Sequence, residues 1–404
     1  MRLRQLFNNS NIRGGRAHVR VLLKAIGITL VAFLLSTFMT APFTASTSIL
    51  FSSSEQSDFK FSDIFAQFAD SRPVRQLEDR FLILDIGNSN REEIAEALTM
   101  LSLCNPKAVG IDILFGAPGE NDSTLVSALA GLSCPVVMPR IAADSAGVFS
   151  IAERSFLESY AELSALRYAA VNLPTDGSEG HGRVREYAVC FPLAGGDTLW
   201  SMPMALTQIM DAKAAERLKS RHAAYGTVAY ASRQFNVITP EQIAEHAADI
   251  ENRTVLVGSL NDAYDMHATP VNSYYPGVMI HAHALSTILD GTWFRKAPDY
   301  TDPLVASLVC FTIVYLCLIL NPGIRGLLLR LLQILLLYIT VRIGYELYVE
   351  HNTICNFSYT LLMIAFGLFS VDIWNGVLFV GRKVSGRIHN MTTKQDSERC
   401  KELS

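Results

Sequence analysis

The chain is short of charge. Asp, Glu, Lys and Arg make up 18% of its 404 residues, where a soluble domain carries about 25%. The imbalance between the signs is small, a net −4 at pH 7, which argues against the strongly basic surface of a nucleic-acid binder. Cysteine chemistry is missing as well. Cys104, Cys134, Cys190, Cys310, Cys317, Cys355 and Cys400 form no CxxC pair and no Cys/His zinc spacing. Three of them, Cys104, Cys134 and Cys190, fall in one polar stretch, so at least one has no partner there; Cys104 and Cys134 can pair only if their elements are neighbours. Nucleotide and nucleophile motifs are absent too. Gly116–Gly119 fits neither a P-loop nor GxGxxG, and Ser259 lacks the GxSxG elbow. With no nucleophile, base and acid set, no catalytic residue, cofactor or metal is expected, and the chain reads as a non-enzyme.

Apolar sequence is in excess, and it is concentrated. Residues 21–43 are uncharged apart from Lys24 and long enough to cross a hydrocarbon layer of about 30 Å. Three further spans fit residues 302–320, 327–345 and 357–380. Arg2, Arg4, Arg13, Arg16 and Arg20 precede the first span, and Arg382, Lys383 and Arg387 follow the last. The positive-inside rule puts residues 1–20 in the cytoplasm, and four crossings return the tail 381–404 to the same side. The first run is long for a signal peptide, and Thr40–Ala45 is a poor cleavage site, which favours an uncleaved anchor. Residues 44–301 are then exported as one large domain on a multi-pass membrane protein.

That domain alternates strands and helices. Asp58–Phe68 has helical apolar spacing. Phe81–Ile86 (FLILDI) is a short buried strand ending at Gly87. Asn88–Asn90 offers an N-cap to a helix over Arg91–Cys104, with Glu92 and Glu93 in its first turn. Ala108–Phe115 is the next strand, Ser123–Leu132 a helix and Cys134–Met138 a third strand. The spacing predicts a helix over Ile151–Leu163, strands over Tyr168–Asn172 and Val184–Pro192, a helix over Ser201–Ala215 and a short one over Pro240–Ala247. Thr254–Val257 is a buried strand, and Val278–Leu289 is helical. Strand–helix–strand repeats of this kind predict an α/β fold with a largely parallel sheet flanked by helices.

Polar residues gather after the last strand, in Arg253–Ala284. Asp265 and His267 would lie at its C-terminal end, where open α/β sheets bind ligands. They are candidates for an acid/base pair, a metal site with His281, a ligand contact or a loop staple. Asp85 and Asp112 end two other parallel strands and would bind a cation or polar ligand, cap helices or pair with an Arg. Arg183 and Arg185 flank Val184 on a predicted strand and would face one way, as an anion clamp or a surface ion pair. His281 and His283 are two apart on a helix, about 200° round it, and share no face. In the spans, Arg330, Arg342 and Asp372 are costly against lipid. The arginines can snorkel; Asp372 is too short, and Arg330 is its nearest candidate partner.

Read in order, FLILDIG, AVGIDILF with Asp122 beyond it, GRVREYAVCFPL, RTVLVG, DMHATP, and PGVMIHAHALSTILDG closed by Trp293–Phe294 resemble the CHASE2 sensor domain, an extracytoplasmic module of bacterial signalling proteins. The resemblance covers roughly Ser46–Tyr300 and extends to one span before and three after. It implies a sensor in the bacterial inner membrane, with an unknown small-molecule or protein ligand outside the cell. Family members usually continue into an output domain. Here Gly381–Ser404 is too short for one, which implies a separate signalling partner. The turn DGSEGHGRVR departs from the family's Asp-rich turn, so no role passes to Asp176 or Glu179. The alternative function is a docking subunit of a cell-envelope complex with no small-molecule ligand.

Overall fold

A computed structural model of the chain describes residues 15–45, 60–72, 76–145, 148–175, 182–230, 233–320, 322–377 and 380. Asp176, Glu179, Cys400 and the basic tail lie outside them. Two units emerge: one drawn from Met1–Ser52, Lys296–Leu347 and Ile354–Ser404, the other from Ser53–Arg295 with Tyr348–Thr353.

The second unit is built on a seven-stranded sheet. Its strands in chain order are β1 (Phe81–Asp85), β2 (Ala108–Ile111), β3 (Val136–Ser145), β4 (Val148–Arg154), β5 (Arg167–Ala170), β6 (Val237–Ile238) and β7 (Thr254–Gly258). The spatial order is β6-β1-β7-β2-β3-β4, with β5 also pairing β3. Every pairing is parallel except β3 with β4. The mixed α/β fold with a largely parallel sheet is therefore present.

Helices cover both faces, which is why the central strands are apolar at every position and not alternately. Leu82, Leu84, Val109, Val255 and Val257 pack on α2 (Arg91–Leu103) and α3 (Asp122–Ala130). Phe81, Ile83 and Leu256 pack on α4 (Met202–Met210) and α6 (Gly277–Asp290). Between these last two lies α5 (Ala212–Lys219), and α1 (Phe61–Asp70) precedes the sheet. Helix α2 starts where expected: Asn90 Oδ1 accepts from the Glu92 and Glu93 amides, and Glu93 returns a bond to the Asn90 amide at 2.8 Å. Gly258 allows α6 to approach β7, since a Cβ there would lie 2.9 Å from Val278 Cβ.

Four expectations change. Ile151–Leu163 is not a helix: Val148–Arg154 has Phe149 and Ile151 two apart and pairs antiparallel with a β3 longer than expected, and Phe156–Ser159 and Ala161–Leu163 are 3₁₀ turns. Ser201–Ala215 is two helices, because Asp211 leaves the helical backbone and caps α5 through the Lys213 and Ala214 amides. Pro240–Ala247 reduces to a 3₁₀ turn at Pro240–Gln242, with a short helix at Ala247–Ile250. Val184 precedes its strand, which runs in two pieces, Glu186–Ala188 and Cys190–Pro192.

Among the described residues four helices are long and apolar enough to cross a membrane, His18–Phe38, Thr301–Ile319, Leu327–His351 and Ser358–Val377; they belong to the other unit except for the last turn of the third, from Tyr348 on. All four expected spans are matched, the third helix running on past residue 345. Ala25, Ile28 and Ala32 of the first pack with Cys310, Ile313 and Val314 of the second and Met363, Ile364 and Val371 of the fourth. Asp302 caps the fourth helix, accepting from the Tyr359 and Thr360 amides at 2.8 and 3.0 Å. Arg330 does not reach Asp372. It donates to Gln333, whose amide bonds the Ile364 carbonyl, so Arg330 is used in tying the third span to the fourth. Arg342 bonds Glu346 one turn along.

Candidate functional site

Parallel strands bring their C-terminal ends together, and β7 lies between β1 and β2. Asp85 and Asp112 therefore flank it. Their surroundings differ. Asp85 Oδ1 accepts from the Gly87 amide at 2.9 Å and the Leu260 amide at 3.0 Å. It fastens the turn after β1, where Gly87 has φ +52°, to the turn after β7. This is a loop staple, and it leaves Asp85 outside the cluster described next.

The Asp112 amide still follows the sheet, donating to the Val257 carbonyl. Its side chain is only 7% exposed. Oδ2 is buried with no hydrogen-bond partner, and Oδ1 lies 3.8 Å from His281 Nε2, beyond hydrogen-bond range. Burial pushes the Asp112 carboxyl well above its ordinary value, and the Asp265 carboxylate adds to the rise. His281 is pulled down to about 4 by burial; His267 acts in the same direction, against Asp265 and the Val171 backbone.

Asp265 and His267 come from the loop beyond β7. Asp262 caps the Ala263–Asp265 turn through the Tyr264 amide. Met266–His267 then pairs with Tyr275–Pro276, which delivers the chain to the start of α6. Asp265 Oδ1 and His267 Nε2 are 3.0 Å apart. The Asp265 carboxylate fills the space over Gly277, where a Cβ would collide with either oxygen. Asp265 thus lies at the positive end of α6. Asp112, Asp265, His267 and His281 form one cluster at the C-terminal edge of the sheet. Among the described residues no group of three His, Cys, Asp or Glu side chains could hold a metal ion.

The two arginines take separate roles. Arg183 donates to the Thr269 carbonyl at 2.7 Å, beyond the Asp265–His267 turn. Arg185 makes a buried, two-pronged ion pair with Asp63 of α1, at 2.8 and 2.7 Å, and not a surface pair. The histidines split as their spacing requires: His281 joins the cluster, while His283 meets the Tyr275 hydroxyl at 2.9 Å and stacks edge-on to Phe235. Sequence reasoning joined His281 to Asp265 and His267 only as a metal site, and not to Asp112. The usable signal was its position one turn after Gly277, at the N-terminal end of a helix that follows the loop beyond β7. Cys104 and Cys134 are free thiols.

Sequence reasoning also missed a cavity of about 520 Å³ whose lining includes Tyr230, Arg233, Ser286, Asp290, Thr292 and Phe294. Its charged groups answer one another. Glu78 bonds Arg80, Arg233 and Ser286, and Asp290 bonds Arg80 and Arg233. Burial opposes ionisation of Glu78, yet its bonds to Arg80 and Ser286 outweigh it and hold the carboxyl at about 2.

Residues 43–320 match the family model of the CHASE2 domain. The chain belongs to the CHASE2 domain family. No curated protein and no solved structure matches it. The CHASE2 match begins at the end of the first span and includes the second, so the family unit here contains the α/β domain and membrane helix together.

Proposed function

We propose that this protein is a membrane-anchored sensor, with its CHASE2 domain on the exported side of a bacterial inner membrane. It takes a small ligand or a protein at the C-terminal edge of the sheet, does not turn it over, and signals through a separate membrane or cytoplasmic partner. One observation carries the reading: Asp112 presents a buried oxygen without a partner, within a cluster of two acids and two histidines. A buried polar atom left unpaired is costly, and a ligand that donates a hydrogen bond or carries positive charge would relieve it. The arginines before the first span support the orientation. Helix α6 starts at the cluster, and only residues 291–300 separate it along the chain from the helix Thr301–Ile319.

The test uses the full chain in nanodiscs, melted with fractions of periplasmic extract. A fraction holding the ligand at 100 times its Kd adds about 2.7 kcal/mol to stability. Asp112→Asn is expected to remove most of that shift while the variant still melts cooperatively. An equal shift in the variant would move the site elsewhere, and no shift with any fraction would remove a soluble ligand. A docking role is favoured by Tyr264 and Tyr274, which are 99% and 60% exposed beside the cluster and suit a protein contact. In-cell cross-linking that recovers a stoichiometric partner under all growth conditions would support it.

A further inference from the structure

We propose that the cavity of about 520 Å³ is a second ligand site, and that it takes an uncharged sugar of one or two rings. Ligand pockets run from about 300 to 1,000 Å³ and combine apolar walls with a few polar groups. This cavity has both. Tyr230, Phe294 and Tyr348 supply aromatic wall, the last two with ring centres 5.0 Å apart. The polar lining decides the class of ligand. Every charge in it is already matched: Arg72 lies 3.7 Å from Glu350, and Arg233 and Asp290 share bonds with Glu78 and Arg80. A charged ligand would lose its water there and meet no spare countercharge. What is left uncommitted is neutral. The side chains of Gln76, Thr292 and Asn352 line the cavity and make no hydrogen bond among the described residues. Two amides and a hydroxyl all both donate and accept. A ligand that answers all three must do the same at several points, as hydroxyl groups do, and present an apolar ring face to the aromatic wall. Both properties belong to a sugar.

The cavity lies at the far end of α6 from the cluster. Ser286, Thr287 and Asp290 belong to the last turns of that helix, Gly277 and His281 to its first. Thr292 and Phe294 follow α6 on the way to the second span, while Tyr348 and Asn352 come from the end of the third. All of these residues fall within the α/β unit. The Arg295 amide donates to the Asn352 carbonyl at 2.8 Å, so the two segments already run side by side. A sugar bonded to Thr292 and Asn352 together would hold both, and with them the stretches of chain that join the domain to two spans.

The experiment titrates the full chain in nanodiscs with purified glucose, galactose, N-acetylglucosamine and maltose, and with glutamate and putrescine as charged probes, by calorimetry. At least one sugar is expected to bind saturably, and neither charged probe. Asn352→Gly and Thr292→Val are each expected to weaken that sugar roughly tenfold, the scale of one lost hydrogen bond. Asn352 has φ +47°, which glycine adopts without strain, and valine keeps the shape of threonine, so if one variant melts early the other still reads the site. Hydrogen exchange with the sugar bound is expected to slow in residues 286–294 and 348–352. No saturable binding by any of the four sugars would overturn the proposal, as would binding of a charged probe in their place or wild-type affinity in both variants. Protection in residues 259–281 alone would assign the sugar to the cluster and also overturn it.

Discussion

At the scale of residues, the exported domain contains ionisable groups whose folded-state shifts pull stability in opposite directions. His281 is held near 4 against an ordinary 6.5, so only the unfolded state takes its proton between those values. Its contribution is complete above pH 6.5 and is lost as pH falls towards 4, by up to about 3 kcal/mol. Asp112 is shifted up: its contribution is complete below pH 3.8 and is lost as pH rises. In the full chain, Asp112→Asn should therefore steepen the loss of stability between pH 6.5 and 4, and His281→Asn should flatten it. Denaturant melts at pH 4.5, 5.5 and 6.5 read the difference; parallel slopes in both variants and wild type would refute the shifts. Some residue-scale features were legible. Asn90 and Glu93 announce a helix start by spacing alone, and the divergence of His281 and His283 follows from 200° of rotation. The Arg185–Asp63 pair was not, because its partners are 122 positions apart and only the folded chain brings them together.

At the scale of elements, the strands buried on both faces were the most legible, since Phe81–Leu84 and Val255–Val257 have no polar position to place outward. Failures came where one residue breaks or redirects a pattern. Asp211 splits a helix that apolar spacing alone continues, and β4 shares its sequence with a plausible helical stripe until an antiparallel partner selects period two. Helix-to-sheet distance is set by glycines, and it can be tested. Gly258→Ala drives a Cβ to 2.9 Å from Val278 Cβ, whereas Gly110→Ala meets the Leu206 Cδ1 tip at the same distance. A methyl tip can rotate away, but a Cβ moves only with its helix. Gly258→Ala should cost about 1–3 kcal/mol and lower the melting temperature more than Gly110→Ala does. The reverse order would mean that α6 is not seated on β7 as described.

At the scale of the whole molecule, hydropathy and charge were enough to count four spans and to enclose one α/β domain between the first and the rest. The series of short motifs was enough to suggest the CHASE2 family. What each intramembrane charge touches was not legible, because Arg330 chooses Gln333 on its own helix over an acid on another. Asp112, Asp265 and His267 were legible as strand-end residues; their meeting with one another and with His281 was not, because it needs β2, the loop beyond β7 and α6 to converge. Whether that cluster receives the signal is the central claim, and hydrogen exchange tests it most directly. The full chain in nanodiscs is exchanged with and without a fraction that raises its melting temperature. The account predicts slowed exchange in residues 259–281, the loop beyond β7 and the first turns of α6. Protection confined to other parts of the domain, with residues 259–281 unchanged, would contradict it.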